Sequence, residues 1–438
     1  MTKNADKPLI LYTGNFRFPD GDAAAARVRG IGCALRDAGY EVVFGGGESE
    51  GRPQDRNSSA GYAFQGFSYE PQGGIERQGV RGLRRFMQLG GIGGQIARWV
   101  ESYGDRDLAA VIVYGPSTPL IVSLRRVTRR LSVPLLLDLT EWHTGATLPG
   151  GSFGYRNLDS QLRMRGLYPR ADGIIAISSF LRRHYQADGC DAIQVPPLVD
   201  LEDATWSAGT WVPSDVLRLV YAGNPGNKDL LGAIIRAVVA PRARARHVEL
   251  HLLGLGADQA RALAGCELVS SAGKGAAVVC HDRLPQNEVP AVVTGMDFTV
   301  LLRRNDRNAN AGFPTKLVES CSSGVPAITN ATSDIAEFIR HGREGLIVNG
   351  PTAEAFATAL DEAAALDPAA IALLRNGAKQ RACQSFDYRN YRTEIAELVE
   401  RAQQRMMYPN SRLRPQLSAG TEPNPICPID SERTDERV

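Results

Sequence analysis

Residues 312–348 read GFPTKLVESCSSGVPAITNATSDIAEFIRHGREGLIV, and their succession of loop, short helix, buried strand, loop, second short helix and final strand marks a compact α/β unit. Pro314 fixes φ where a helix can begin and Thr315 is placed to cap it. Leu317, Val318 and Cys321 give that helix one apolar face before the Ser-Ser-Gly stop at 322–324. Gly312 and Phe313 then offer backbone N–H groups at a helix N-terminus, where orphan donors and the helix dipole hold an anion such as a diphosphate. Lys316 adds a full positive charge there. One turn deeper, Glu319 is an acceptor-only carboxylate on an inward-packing helix. It suits the vicinal diol of a ribose, and it suits equally a solvated helix charge, so the spacing leaves both readings open.

The segment resembles the donor-binding signature of family-4 glycosyltransferases, in particular the bacterial polysaccharide and lipopolysaccharide enzymes that read FPTK-L-V-E and then small-G-x-P-x-I-T-N. The resemblance implies an α/β protein of two Rossmann-like, doubly wound domains facing each other across an interdomain cleft, the GT-B arrangement. It also implies transfer of a sugar from a nucleoside diphosphate donor with retention at the anomeric carbon, and no cofactor or metal. By the same resemblance Gly312, Phe313, Pro314, Thr315 and Lys316 line the donor and Glu319 holds the ribose. Most of the family carries a first Glu eight positions before the second, where this chain has Ala311. The sugar contact is then left to backbone groups of 312–315 or to a neighbour such as Asn310.

At 438 residues the chain exceeds what one core holds and suits two domains of roughly 200 residues each. Apolar residues are 43% and charged residues 22%, an ordinary globular composition, and a net charge of +2 gives no global attraction to nucleic acid. No run approaches the ~18 uninterrupted apolar residues of a membrane span, and the polar start MTKNADK lacks the apolar core of a signal peptide, so a cytoplasmic protein is expected. Seven cysteines, odd in number and without a C-x-x-C, fit reduced thiols rather than a disulfide framework or a zinc site.

The chain opens with an apolar run at 9–12, a long loop, an Ala-rich helix over 23–38 ended by Gly39, and a strand at 41–44, as a doubly wound sheet begins. In the family resembled, that loop lies against the donor phosphates or sugar, which makes Gly14 and Gly21 candidates for close backbone approach. Asp20-Gly21-Asp22 mimics a D-x-D metal motif, but that motif lies deep in chains of the other large glycosyltransferase fold, and a loop is the better reading. Residues 45–79, rich in Gly, Ser, Gln and charge, are expected to be irregular. A basic, aromatic-bearing helix over 80–103 either touches an anionic inner-membrane surface, where lipid-linked acceptors reside, or packs on the core with a solvated edge.

A strand at 110–114, a helix over 118–131 with an arginine-rich solvated face, and a strand at 135–139 continue the alternation. The next loop carries Asp138, Thr140, Glu141, Trp142 and His143 at the edge where an open parallel sheet puts its ligands. Glu141 and His143 are therefore candidates to meet the acceptor hydroxyl; a turn-capping Asp138 and a surface His143 form the plainer alternative. A strand at 171–177, a helix capped by Ser178 and Ser179, and a strand at 193–195 running into PPLVD resemble the end of a first GT-B domain. These features set a first, acceptor-side domain over 8–200 and a polar linker over 201–214.

The second domain, 215–385, restarts the alternation with a strand at 217–221 and the loop AGNPGNKD. Gly223, Gly226 and Lys228 make a Gly-rich βα loop, a ready anion site, and it matches the family's phosphate loop. Gly254-Leu255-Gly256 mimics the dinucleotide fingerprint, yet Gln259 replaces the third Gly, so a plain tight turn is expected. Arg303, Arg304 and Arg307 leave a strand at 298–302, and Arg303 is the one expected to meet the leaving phosphate. A terminal helix over 386–408 is expected to cross back to the first domain, and residues 409–438, nearly without hydrophobes, are expected to be disordered.

The reading that results is a sugar transferase resembling the family over residues 8–405. Lys228, Arg303, His143 and Glu141 act on the reaction, and Gly14, Gly21, Gly223, Lys228 and the 312–319 unit hold the donor. Its partners are a nucleotide-sugar and a glycan, lipid-linked or small-molecule acceptor, with peripheral contact at the inner membrane face. Two rivals share the architecture. A sugar-nucleotide epimerase needs acid/base groups at the sugar, where the first Glu is absent; a non-catalytic partner subunit is kept open by Ala311.

Overall fold

The strand at Leu9–Gly14 is wholly buried along its length, as a strand covered on both faces must be, and it takes the centre of its sheet. The computed structural model describes residues 7–408 apart from 58–60, 74–82, 144, 146–147, 149–150, 208, 227, 269–276, 282 and 286–287, and for 83–89 and 155 it describes the backbone alone. The first sheet holds β1 (Leu9–Gly14), β2 (Glu41–Gly45), β3 (Arg56–Asn57), β4 (Gly61–Phe64), β5 (Phe67–Tyr69), β6 (Leu108–Tyr114), β7 (Leu135–Leu139), β8 (Gly173–Ala176) and β9 (Ala192–Gln194), in the order 3-4-5-2-1-6-7-8-9. The second holds β10 (Val216–Ala222), β11 (His247–Leu253), β12 (Ala277–His281), β13 (Phe298–Leu301), β14 (Ala327–Asn330) and β15 (Gly345–Val348), in the order 12-11-10-13-14-15. All pairs of the second sheet are parallel, and counted within the domain its order is the doubly wound 3-2-1-4-5-6.

That order fixes where a ligand goes. The strand sequence reverses direction between β10 and β13, and the crevice at the carboxyl ends of these two strands is the switch point of a doubly wound sheet. The loop 223–228 leaves β10 there, and Arg303 follows β13. The terminal helix Arg392–Met407 packs against the first sheet, where Arg401 and Arg405 both pair with Asp191 at 2.9 Å. Residues 409–438 lie outside the described residues.

Three local readings change. Residues 45–79 are not irregular throughout: β4 and β5 form an antiparallel hairpin, and β5 pairs in parallel with β2. Gln65 and Gly66 turn the hairpin with φ of 49° and 81°, the two positive values that a type I′ turn requires, and Phe67 and Tyr69 are buried beneath it. Helix Thr315–Ser322 has Pro314 rather than Thr315 at its N-cap, because Pro314 sits at φ −78°, ψ 108° and makes no side-chain cap. The helix expected over 80–103 is described as Leu83–Glu101; its side chains Ile96, Trp99 and Val100 are core, so that part of the segment turns its apolar face inward.

Candidate donor and active site

The two domains meet over the carboxyl ends of their sheets. Ser178 Oγ donates to the Ala311 carbonyl at 2.8 Å, and Asp334 accepts from Ser179 N at 2.7 Å and from Gln194 Nε2 at 2.9 Å. The Arg307 guanidinium lies over the Trp142 ring, 5.1 Å from its centroid. Behind these contacts a cavity of about 620 Å³ opens between helix Ala23–Asp37, the linker and the second domain. Arg27, Arg29 and Trp206 stand on one side of it, and Gly223, Lys316 and Glu319 on the other.

At the switch point the expected cations are gathered, but around a carboxylate whose role the sequence did not single out. Asp229, only 3% exposed, accepts from Lys316 Nζ at 2.9 Å, from Arg303 Nε at 2.8 Å and from the Tyr221 hydroxyl at 2.6 Å. Burial pushes its carboxyl up, but the two cations and the hydroxyl outweigh that and hold it below the ordinary aspartate value. Lys316 also sits over the Tyr221 ring and donates to its hydroxyl. Burial lowers the Lys316 ammonium below the usual lysine value against the pull of Asp229.

Lys228 reaches across the cleft. Its Nζ donates to Glu141 Oε1 at 2.7 Å, and the other Glu141 oxygen lies 2.9 Å from His143 Nε2. Burial raises the Glu141 carboxyl, yet the His143 hydrogen bond and the Lys228 charge hold it down at about 2. Lys228, Glu141 and His143, taken from opposite halves of the sequence, thus form one chain of contacts. Gly312 lies beside them: a Cβ there would come within 3.4 Å of the Thr140 carbonyl and 3.6 Å of Lys228 Nζ.

Glu319 is half-buried on the cavity wall, and its carboxylate makes no hydrogen bond or ion pair among the described residues. Burial pushes it up to about 7, with the Lys316 charge pulling the other way. An unspent acceptor aimed into a cavity is unlike the solvated helix charge that the sequence left open. Thr315 also lines the cavity, and Gly223, at φ +90°, faces it with Lys316 Cε as the nearest side-chain atom.

Other expected residues make contacts within the protein. Phe313 is buried, edge-on to Phe338 at 5.2 Å and near Phe386 at 6.1 Å, so its side chain anchors the loop. A Cβ on Gly14, at φ +134°, would come within 2.4 Å of the Tyr114 carbonyl, and one on Gly21 within 2.6 Å of Arg17 Cβ; both glycines are demanded by protein packing. Asp20 pairs with Arg52 at 2.7 Å, while Asp22 caps helix Ala23–Asp37 through Ala25 N. Asp138 neither caps a turn nor faces the cleft: it is wholly buried, bound by Arg27 at 2.7 Å and by the Tyr12 hydroxyl. Asn310 spends its amide on Asn305 and its carbonyl on Ser333 N. Ala311 is wholly buried at the domain contact, so a carboxylate there would have to be accommodated inside the closed cleft.

Residues 22–198 match a model of a glycosyl transferase 4-like domain, and residues 217–365 match a model of group 1 glycosyl transferases, together more than half of the chain. The chain belongs to the family-4-like glycosyltransferases. This glycosyltransferase-family chain is 25% identical over 117 residues to the putative colanic acid biosynthesis glycosyltransferase WcaL of Salmonella typhimurium, a match spanning 26% of the chain and 29% of that relative. Sucrose-phosphate synthase from Thermosynechococcus elongatus superposes with a TM-score of 0.67 at 14% identity, covering 92% of this chain and all of the other. HepE of Anabaena in complex with UDP superposes with a TM-score of 0.57 at 16% identity, over 90% and 99% of the two chains. At such identities the superpositions establish a shared fold, that of two Rossmann-like domains in the GT-B arrangement. Among the described residues no helix is long and apolar enough to cross a membrane.

Sequence reasoning missed three members of the site. The role of Asp229 was available only as a carboxylate placed directly after Lys228. Tyr221 is the next-to-last residue of β10 and reads as core from its neighbours. Arg307, passed over in favour of Arg303, lies over Trp142 and donates to the His143 carbonyl at 3.4 Å.

Proposed function

We propose that this chain transfers a sugar from a nucleoside diphosphate donor to a hydroxyl acceptor, with retention at the anomeric carbon and without a metal ion. The observation that carries the reading is the convergence of Lys228, Lys316 and Arg303 on the switch-point crevice beside an unspent Glu319. The ribose hydroxyls donate to Glu319. The diphosphate lies between the 223–228 loop and the start of helix Thr315–Ser322, which has no side-chain cap of its own. In the structure three cations stand beside the carboxylates Asp229 and Glu141, so an incoming diphosphate meets cations whose positions are already set.

Donor binding changes the basicity of Glu141. When Lys228 turns to the phosphate, the His143 hydrogen bond remains but the Lys228 charge no longer holds Glu141 down, and the carboxylate becomes more basic. Glu141 with His143 then orients the acceptor hydroxyl, and the departing phosphate, stabilised by charge-assisted bonds of ~1.5–3 kcal/mol each, accepts its proton. The domain contacts at Asp334 and Arg307 keep water from the donor. Support for a nucleotide-sugar comes from the HepE relatives, whose structures hold UDP and UDP-glucose, and support for a polysaccharide or lipopolysaccharide acceptor comes from WcaL and from a lipopolysaccharide outer core galactosyltransferase of the same fold.

Incubating the purified protein with a panel of nucleotide-sugars, with and without glycan and lipid-linked acceptors, tests this reading. Acceptor-dependent release of nucleoside diphosphate supports transfer. Interconversion of the sugar on an intact donor would make the chain an epimerase, and binding without turnover a partner subunit.

A further inference from the structure

The segment 151–165 reverses the usual arrangement of a surface helix. Helix Tyr155–Leu162 and the wide turn Arg163–Leu167 bury Asn157, Ser160 and Met164, and turn Leu158 and Leu162 outward at 59% and 54% exposure, with Phe153 just ahead at 94%. The element is pinned from within. Asn157 Nδ2 donates to the Ser152 carbonyl at 2.7 Å, Thr118 Oγ1 to Asp159 at 2.5 Å, and the Tyr168 hydroxyl to the Pro116 carbonyl at 2.6 Å. The exposed leucines therefore belong to a fixed helix face, and the row they form, 158 and 162, continues into the exposed Arg165.

Basic charge accompanies this face. Helix Thr118–Leu131, whose first residue meets Asp159, carries Arg125 and Arg129, and Arg170 follows the wide turn. Burial lowers the Arg125 guanidinium, and the charges of Arg129 and Arg170 lower it further, with only Asp172 opposing them. Residues 118–170 hold eight arginines against Asp138, Glu141 and Asp159, and Asp138 is consumed by Arg27 in the interior. Arg163 is paired with Asp159 and Arg130 with Glu101, whereas Arg125, Arg129, Arg165 and Arg170 make no ion pair among the described residues. Three large apolar side chains standing clear of the surface together with these four charges fit an interface whose apolar part is shallow and whose headgroups are anionic. A protein interface would need about 800 Å² of complementary surface per partner, far more than three side chains supply.

We propose that Phe153, Leu158 and Leu162, with Arg125, Arg129, Arg165 and Arg170, form a docking surface for an anionic phospholipid bilayer. Phe153 stands ten residues after His143 in the sequence, in the same domain, and a docked bilayer is then the source of a lipid-linked acceptor hydroxyl for the Glu141–His143 pair. That clause deepens the proposed function and rests on it; the docking itself does not.

The test is co-sedimentation of the full chain with vesicles of phosphatidylcholine alone and of phosphatidylcholine with phosphatidylglycerol. Binding is expected to the anionic vesicles only and to fall as salt rises. Leu158→Ser with Leu162→Ser is expected to weaken it about tenfold or more, and Arg125→Gln with Arg129→Gln to weaken it severalfold and flatten the salt dependence. Nucleotide affinity, measured on the same variants by calorimetry, should be unchanged, which separates loss of docking from loss of the donor site. Absence of vesicle binding, equal binding to neutral vesicles, or binding untouched by the leucine variants would overturn the proposal. So would a dimer in sedimentation that the same leucine variants dissolve, because the face would then belong to a second copy.

Discussion

Replacing Glu319 by Gln probes the ribose contact with little change of shape. The carboxylate makes no hydrogen bond or ion pair among the described residues, so the substitution leaves no protein group orphaned and the fold should hold. With its pKa raised to about 7, near half of the molecules at neutral pH must give up a proton before the carboxylate accepts two ribose hydroxyls. That costs about 0.4 kcal/mol against hydrogen bonds to a charged acceptor of ~1.5–3 kcal/mol. Gln keeps one acceptor and loses the charge, so nucleoside diphosphate affinity should fall by about 1–3 kcal/mol, roughly five- to 150-fold. Wild-type affinity should also rise with pH, by at most about tenfold per unit, and level off above about 7, because the bound diol favours the ionised carboxylate and depresses its pKa. Calorimetry with a nucleoside diphosphate and its 2′,3′-dideoxy analogue reads both effects. An equal loss for the two ligands, or a pH dependence that survives in Glu319→Gln, refutes the ribose assignment.

Lys228→Ala should cost about 1.5–3 kcal/mol in diphosphate affinity with an unchanged melting profile, whereas Glu141→Gln, which frees Lys228 from its counter-ion, should tighten the diphosphate while lowering turnover; calorimetry with steady-state kinetics checks both. Asp229→Asn strands two cations at the end of β10 and should destabilise the second domain by about 3 kcal/mol in denaturant titration. Because the folded pKa of Asp229 lies below its unfolded value of about 3.9, its contribution is full above that pH and fades as pH falls toward the depressed value; acid unfolding of Asp229→Asn should lack that component. Chelator-treated enzyme should keep its transfer rate, since cations and a helix N-terminus take the place of a divalent ion; a loss restored by manganese or magnesium would reassign Asp20 and Asp22.

The sheet alternation of both halves was legible because period and length are local properties: Thr118–Leu131 and Leu135–Leu139 lie where apolar spacing puts them. The hairpin at 61–69 was not, since its Gly-rich flanks mask the alternation of Tyr62, Phe64, Phe67 and Tyr69. The cations of the site were legible as residue types at strand ends, but their partners were not. Arg303 finds Asp229 across 74 residues and Lys228 finds Glu141 across 87, so their pairing is decided by strand order and domain closure rather than by spacing. Asp138 shows the converse: a strand-end carboxylate beside the candidate acceptor residues is consumed by Arg27, 111 residues away.

The most direct measurement of the central claim is a crystal structure of the chain with a bound nucleoside diphosphate. The ribose hydroxyls should lie within hydrogen-bond distance of Glu319, the diphosphate should contact Lys228 and the first N–H groups of helix Thr315–Ser322, and Lys228 should have left Glu141. A nucleotide bound elsewhere, or one bound here with Lys228 still on Glu141 and the phosphates turned to solvent, would contradict the account.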